Sequence, residues 1–136
     1  MAAKRQIVKY MDTADEEMFT LIGISSHEND YRLSWEINDV LGLKFAQDNE
    51  SIKTDDDNAF TCFVHQDDDQ RIMLISNRCD NGFLIGKHKN LDFIMKFDTQ
   101  LDDDETNEWI KKLRTVTLIY AAFKIPEDRQ ILNLLE

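Results

Sequence analysis

Thr20 to Leu43 reads TLIGISSHENDYRLSWEINDVLGL, and this stretch decides the fold class. Met18 to Ile24 is apolar and β-rich, which predicts a strand covered on both faces. Ser25 then opens a capping box. Its hydroxyl accepts from a free amide of the first turn, and Glu28, three residues on, reaches back. Ser26 is the competing N-cap. The spacing predicts a helix to about Leu41, closed by Gly42 as a left-handed stop. At roughly 100° per residue, Leu33, Ile37, Val40 and Leu41 share one arc that faces the sheet. Arg32, Glu36 and Asp39 make a charged side. Tyr31 and Trp35, with Asn38 and Gly42, gather nearly opposite the core arc. A surface helix needs one apolar stripe. This one has two, and the second must be covered by the rest of the chain or by another molecule.

Working outward, Lys4 to Met11 reads as a first strand and Asp12 to Glu17 as an acidic connection. Lys44 to Gln47 is a short strand, and Asp48 to Asn58 a polar loop. From Ala59 to His65 the chain alternates: Phe60, Cys62 and Val64 face one way, and Thr61, Phe63 and His65 the other. Asp67 to Asp69 turns the chain, and Arg71 to Asn77 returns, which together predict a hairpin. Cys79-Asp80-Asn81-Gly82 is a turn signal. Leu91, Phe93, Met95 and Phe97 line one face of a further strand. Asp102 to Glu105 opens a second helix, with Lys111, Lys112 and Arg114 in its last turn, so both ends suit the macrodipole. Thr106, Trp109, Ile110 and Leu113 form its single stripe. Thr117 to Phe123 is the last strand. Pro126 opens a short C-terminal helix with Ile131, Leu132 and Leu135 on its apolar side.

These elements predict one α+β domain over residues 1–136. Its sheet is mainly antiparallel, of about five or six strands, with two main helices and the short C-terminal one. The strand-helix-strand from Leu91 to Phe123 suggests a βαβ unit, and a ferredoxin-like sandwich is the specific variant. The apolar content of 42% and the aromatic content of 10% suit a folded globule rather than a disordered chain.

The net charge is −11, from 27 acidic and 16 basic residues. That argues against nucleic acid, whose phosphates are bound through Lys and Arg, and against an anionic membrane surface. No apolar run approaches the ~20 residues of a membrane span. Met1 to Asp12 has no continuous apolar stretch of signal-peptide length. Cys62 and Cys79 lack metal-ligand or CxxC spacing and read as reduced thiols of a cytoplasmic protein.

Several blocks resemble a family of small uncharacterised Bacteroidetes proteins named for an IPExxxVDY motif. They are LIGISSHENDYRLSWEIN with VLGL, LISNRCDNGFLI, LDF, and IKKLRTV followed by AAFKI. They run from about Phe19 to Ile125 in the family's order. The name motif is degraded: it falls on Ile85 to Phe93, IGKHKNLDF, so Gly86 and Lys87 replace its Pro and Glu, and Phe93 replaces its Tyr. The literal IPE at Ile125 to Glu127 lies past the last strand. The resemblance implies a cytoplasmic bacterial protein and carries no activity with it.

The residues give little purchase for catalysis. Ser25, Ser26, His27 and Asp30 are the raw materials of a nucleophilic site, but helix capping explains the Ser and acidic residues, and no GxSxG elbow occurs. His27, His65 and His88 fall in separate elements with no HExxH. The triplets Asp55 to Asp57, Asp67 to Asp69 and Asp102 to Asp104 are consecutive and lack the glycine of a calcium loop. There is no phosphate-cradling glycine loop. Neither a metal nor a cofactor is expected.

The leading reading is therefore a non-enzymatic interaction or assembly module, a homodimer or a binder of another protein, with Tyr31 and Trp35 as its contact surface. The alternative is a small-ligand sensor of ferredoxin-like or ACT-like type, in which Tyr31, Arg32, Asn77 and Arg78 converge on a pocket.

Overall fold

A computed structural model describes residues 19–48, 52–53, 59–79, 82–85 and 90–126. The expected first strand, the Asp55 to Asp57 triplet, His88 and the C-terminal helix beyond Pro126 lie outside the described residues. The elements in chain order are β1 (Thr20–Ser25), α1 (Asp30–Leu41), β2 (Ala46–Gln47), β3 (Ile52–Lys53), β4 (Ala59–Phe60), β5 (Cys62–Gln66) and β6 (Arg71–Ser76). They continue as β7 (Arg78–Cys79), β8 (Gly82–Phe83), β9 (Phe93–Phe97), α2 (Asp103–Arg114) and β10 (Ala121–Lys124).

Six strands form an antiparallel sheet in the order β10-β1-β9-β6-β5-β2, so the α+β class with an antiparallel sheet and two main helices holds. β1 sits between β9 and β10 and runs antiparallel to both. β9 and β10 are thus parallel to each other and joined through α2, a split βαβ unit. The four strands β10-β1-β9-β6 have the order of a ferredoxin-like sandwich, and the β5 hairpin with β2 extends it at one edge. β3 pairs with β4, and β7 with β8, as two small ribbons. β3 therefore lies within the stretch read from sequence as a polar loop.

Alternation along each strand splits the core in two. On the helix side, Ile22, Ile24, Phe63, Ile72, Leu74, Phe93, Met95 and Phe97 pack with Leu33 and Ile37 of α1 and Leu113 of α2. On the other side, Leu21, Cys62, Ile75 and Ile94 pack with Phe60, Leu84, Ile85 and Leu91 from loops and short strands. The expected facing of Phe60, Cys62 and Phe63 holds. Leu91 does not share the face of Phe93; it lies before β9 begins and seats on Gly23, where a Cβ would meet its Cδ1 at 2.7 Å.

Both helices end as their sequences suggest, but only α2 begins so. Asp102 accepts from the Glu105 amide at 2.8 Å, and Glu105 reaches back to the Asp102 amide at 3.3 Å, a full capping box. In α1 the N-cap is Asn29, whose Oδ1 accepts from Arg32 N at 2.8 Å. Ser25 is the last residue of β1, and its Oγ donates to Asn90 O at 3.0 Å. The Ser25–Glu28 box does not form because sheet pairing takes Ser25 out of the helix turn. Gly42 has φ 69° and donates its amide to Asn38 O, the left-handed stop. Asn38 then clamps Phe45 with both ends of its side-chain amide, at 3.0 and 2.8 Å, and turns the chain into β2.

The core arc of α1 is rotated from expectation. Leu33 and Ile37 are buried, but so is Ser34, while Val40 is 43% exposed. Ser34 tolerates burial because its Oγ donates to Tyr31 O at 3.0 Å. The last strand is shorter than the expected Thr117 to Phe123. α2 leaves through tight turns whose amides bond three residues back, from Thr115 to Ile119, and these drop Val116 and Ile119 into the core.

Candidate functional site

Two surfaces carry the residues singled out by the sequence. The first is the outer side of α1. Tyr31 is 69% exposed and Trp35 62% exposed. The Tyr31 ring meets the Phe63 ring in a T-shaped contact, with centroids 5.9 Å apart. Arg32 and Asp39 flank them and are also exposed. Neither aromatic packs under another described segment.

The second is a cleft of about 560 Å³ where the end of β1, the opening of α1, the start of β5, the end of β6 and the start of β9 converge. Its lining includes His27, Glu28, Asp30, Thr61, Arg78 and Asp92. Asp92 is its anchor. Asp92 N donates to Ile24 O, and its carbonyl accepts from Asn77 N, which locks it between β1 and the end of β6. Its carboxylate then receives Ser26 N on one oxygen at 2.8 Å and Arg78 Nη2 on the other at 2.6 Å. The Arg78 guanidinium also lies 5.4 Å from the Phe83 ring centre. On the opposite wall, Thr61 Oγ1 donates to Asp30 Oδ2 at 2.5 Å, and Asp30 Oδ1 caps its neighbour's amide at 2.7 Å.

Of the four residues expected to form a pocket, Arg78 lines this cleft, while Tyr31, Arg32 and Asn77 are not among its lining residues. Asn77 is fully buried and structural: its Nδ2 donates to Leu91 O at 3.0 Å, and its Oδ1 accepts from Ile85 N at 2.7 Å. Sequence reasoning missed Asp92 and Thr61. Their roles arise from pairing between segments 14, 31 and 66 residues apart (Arg78 with Asp92, Asp30 with Thr61, Ser26 with Asp92), for which no local spacing exists.

The reactive types are engaged elsewhere. Ser25, Ser26, His27 and Asp30 do not bond to one another: Ser26 Oγ accepts from Glu28 N, and His27 stacks edge-on against Tyr120 at 4.6 Å. His65 is buried, with Nδ1 accepting from Lys44 N at 3.0 Å and Nε2 beside Asp67 Oδ2 at 3.0 Å. An Nδ1 that accepts an amide proton leaves the ring's own proton on Nε2, facing Asp67. No lone pair then remains for a general base. Burial pushes the Cys62 thiol up from 9.0 to about 11, so it is neutral and unreactive in the folded chain near pH 7. Among the described residues no group of three or more His, Cys, Asp or Glu is arranged to hold a metal, and no helix is long and apolar enough to cross a membrane. No protein-family model matches the chain, and no curated protein matches it significantly.

Proposed function

We propose that this chain is a non-enzymatic assembly module, and that its partner is a second copy of itself docked through the outer side of α1. The observation that carries this is the pair Tyr31 and Trp35, which project from a rigid, well-capped helix with most of their surface in water. Aromatics of this kind are the residue types enriched at interface centres. The flanking charges favour self-pairing. When two copies of α1 lie antiparallel about a two-fold axis at Trp35, Arg32 of one protomer comes beside Asp39 of the partner subunit, and the reciprocal pair forms by symmetry. The module reading also suits the resemblance to a cytoplasmic bacterial family with no attached activity.

Magnitudes set the strength. The two side chains contribute roughly 300 Å² of exposed surface, well short of the ~800 Å² per partner of a standard interface. The dimer must recruit the charged flanks and is expected to dissociate on dilution. Charge reversal tests it. Arg32→Asp or Asp39→Arg alone puts like charges face to face and is expected to weaken dimerisation. The two together restore the pairing with its sense exchanged and are expected to recover it. A double variant as weak as the singles would remove the antiparallel α1 pairing.

A further inference from the structure

We propose that the cleft at the end of β6 binds a small zwitterion of the α-amino-acid type. Its carboxylate would sit on the Arg78 guanidinium, and its ammonium among Asp30 and Glu28 at the opening of α1. This surface is distinct from the Tyr31–Trp35 face, and it gives the ligand-sensor alternative both a site and a ligand class.

Size and setting come first. The cleft holds about 560 Å³, within the ~300–1,000 Å³ of small-molecule sites. It lies where several strand ends meet a helix start, and buried Phe93 supplies an apolar floor.

The walls then select the charge pattern of the occupant. Among the described residues, Glu28, Asp30 and Asp92 line the cleft as acids, and Arg78 is the one permanently cationic side chain. A simple anion such as inorganic phosphate meets a net negative lining. A simple amine meets the Arg78 charge on one side. A ligand with both poles satisfies both walls, since charged groups at a site confer specificity by rejecting the wrong sign as well as attracting the right one.

The polar groups are also held in advance of binding. Arg78 is steadied by Asp92 at 2.6 Å and by the Phe83 ring, yet its side chain is 55% exposed. That one ion pair uses only part of the donor capacity of a guanidinium. Asp30 is steadied by Thr61 at 2.5 Å, and a carboxylate oxygen that accepts one bond can accept another. Fixing a site before the ligand arrives lowers the ordering cost of binding.

The test uses the full chain and the common α-amino acids as probes, each at about 10 mM in a thermal-shift screen, because a ligand bound only by the native state raises its midpoint. Propylamine and propionate serve as single-pole controls at the same concentration. Hits are then titrated by calorimetry. The expected result is that at least one amino acid raises the midpoint and neither control does. Arg78→Gln and Asp30→Asn should each weaken that binding by about tenfold or more, measured below the unliganded midpoint of each variant, which for Arg78→Gln falls with the loss of the Asp92 ion pair. Asp30→Asn can keep its oxygen on the Tyr31 amide and donate from Nδ2 to the Thr61 hydroxyl, so it separates charge from folding. The proposal is overturned if no amino acid shifts the midpoint, if either control binds as well, or if binding survives both variants.

Discussion

Asn77 shows how one side chain can fix a surface it never reaches. It is fully buried at the end of β6, and its amide satisfies the Leu91 carbonyl and the Ile85 amide. Those bonds seat the segment before β9, which in turn carries Asp92 into the cleft. Asn77→Ala would leave both backbone groups buried without that partner, at about 1–3 kcal/mol each. Urea titration should show a large loss of stability with an unchanged slope. The sequence marked Asn77 as a pocket residue; its buried role was not legible, because its partners, Ile85 and Leu91, are brought to it by the path of the connecting segment rather than by any helical or strand spacing.

Asp67 sets a pH dependence of known sign. The hydrogen bond from His65, with the amides of Asp69 and Gln70, holds the Asp67 carboxyl below the usual aspartate range. A carboxyl whose pKa is lower folded than unfolded adds stability above its unfolded value and loses it as pH falls through the folded one. Asp67→Asn should therefore be less stable than the parent at neutral pH. The gap should close on acidification below pH ~4. A gap that stays constant to strongly acid pH would contradict the assignment.

At the scale of elements, local chemistry made α2 readable. Its acidic first turn, its basic last turn and its Thr106, Trp109 and Leu113 stripe all depend on neighbours within a few residues, though its capping box was not read from them. α1 was readable in its end at Leu41 and its Gly42 stop, but not in its start. Ser25 could cap a helix or end a strand, and pairing with β10 decided it, at Ser25 opposite Ala121. The arc of α1 shifted toward Ser34 because a hydroxyl that bonds its own helix backbone can be buried where a larger side chain would not fit. β1 was readable as a strand with both faces covered; what covers the face opposite the helices was not. That face is closed by Leu91 lying on Gly23. Gly23→Ala should cost about 1–3 kcal/mol by overpacking. Adding Leu91→Ala should then cost less in that background than in the parent, because the two sites share one space. Strict additivity of the two losses would contradict the close contact.

At the scale of the molecule, the mainly antiparallel sheet with two main helices followed from the order of hydrophobic patterns, and the strand order and the placement of both helices on one side did not. Strand order rests on contacts between segments far apart, such as β1 with β9 and β10. The Tyr31–Trp35 face was legible because helical periodicity alone sets it against the core arc. The cleft was legible only in Arg78.

The charge of −11 bears on the proposed dimer. Two like-charged copies repel, and salt near 0.15 M screens that repulsion beyond about 8 Å. Association should therefore strengthen from low to physiological salt. The most direct measurement is the mass in solution by sedimentation equilibrium at physiological salt, over a wide range of protein concentration, for the parent and Trp35→Ala. The account requires the parent to rise from the monomer mass to twice that mass while Trp35→Ala stays monomeric and folded. A parent that remains monomeric at the highest concentration, or a Trp35→Ala protein that dimerises as strongly, would contradict it.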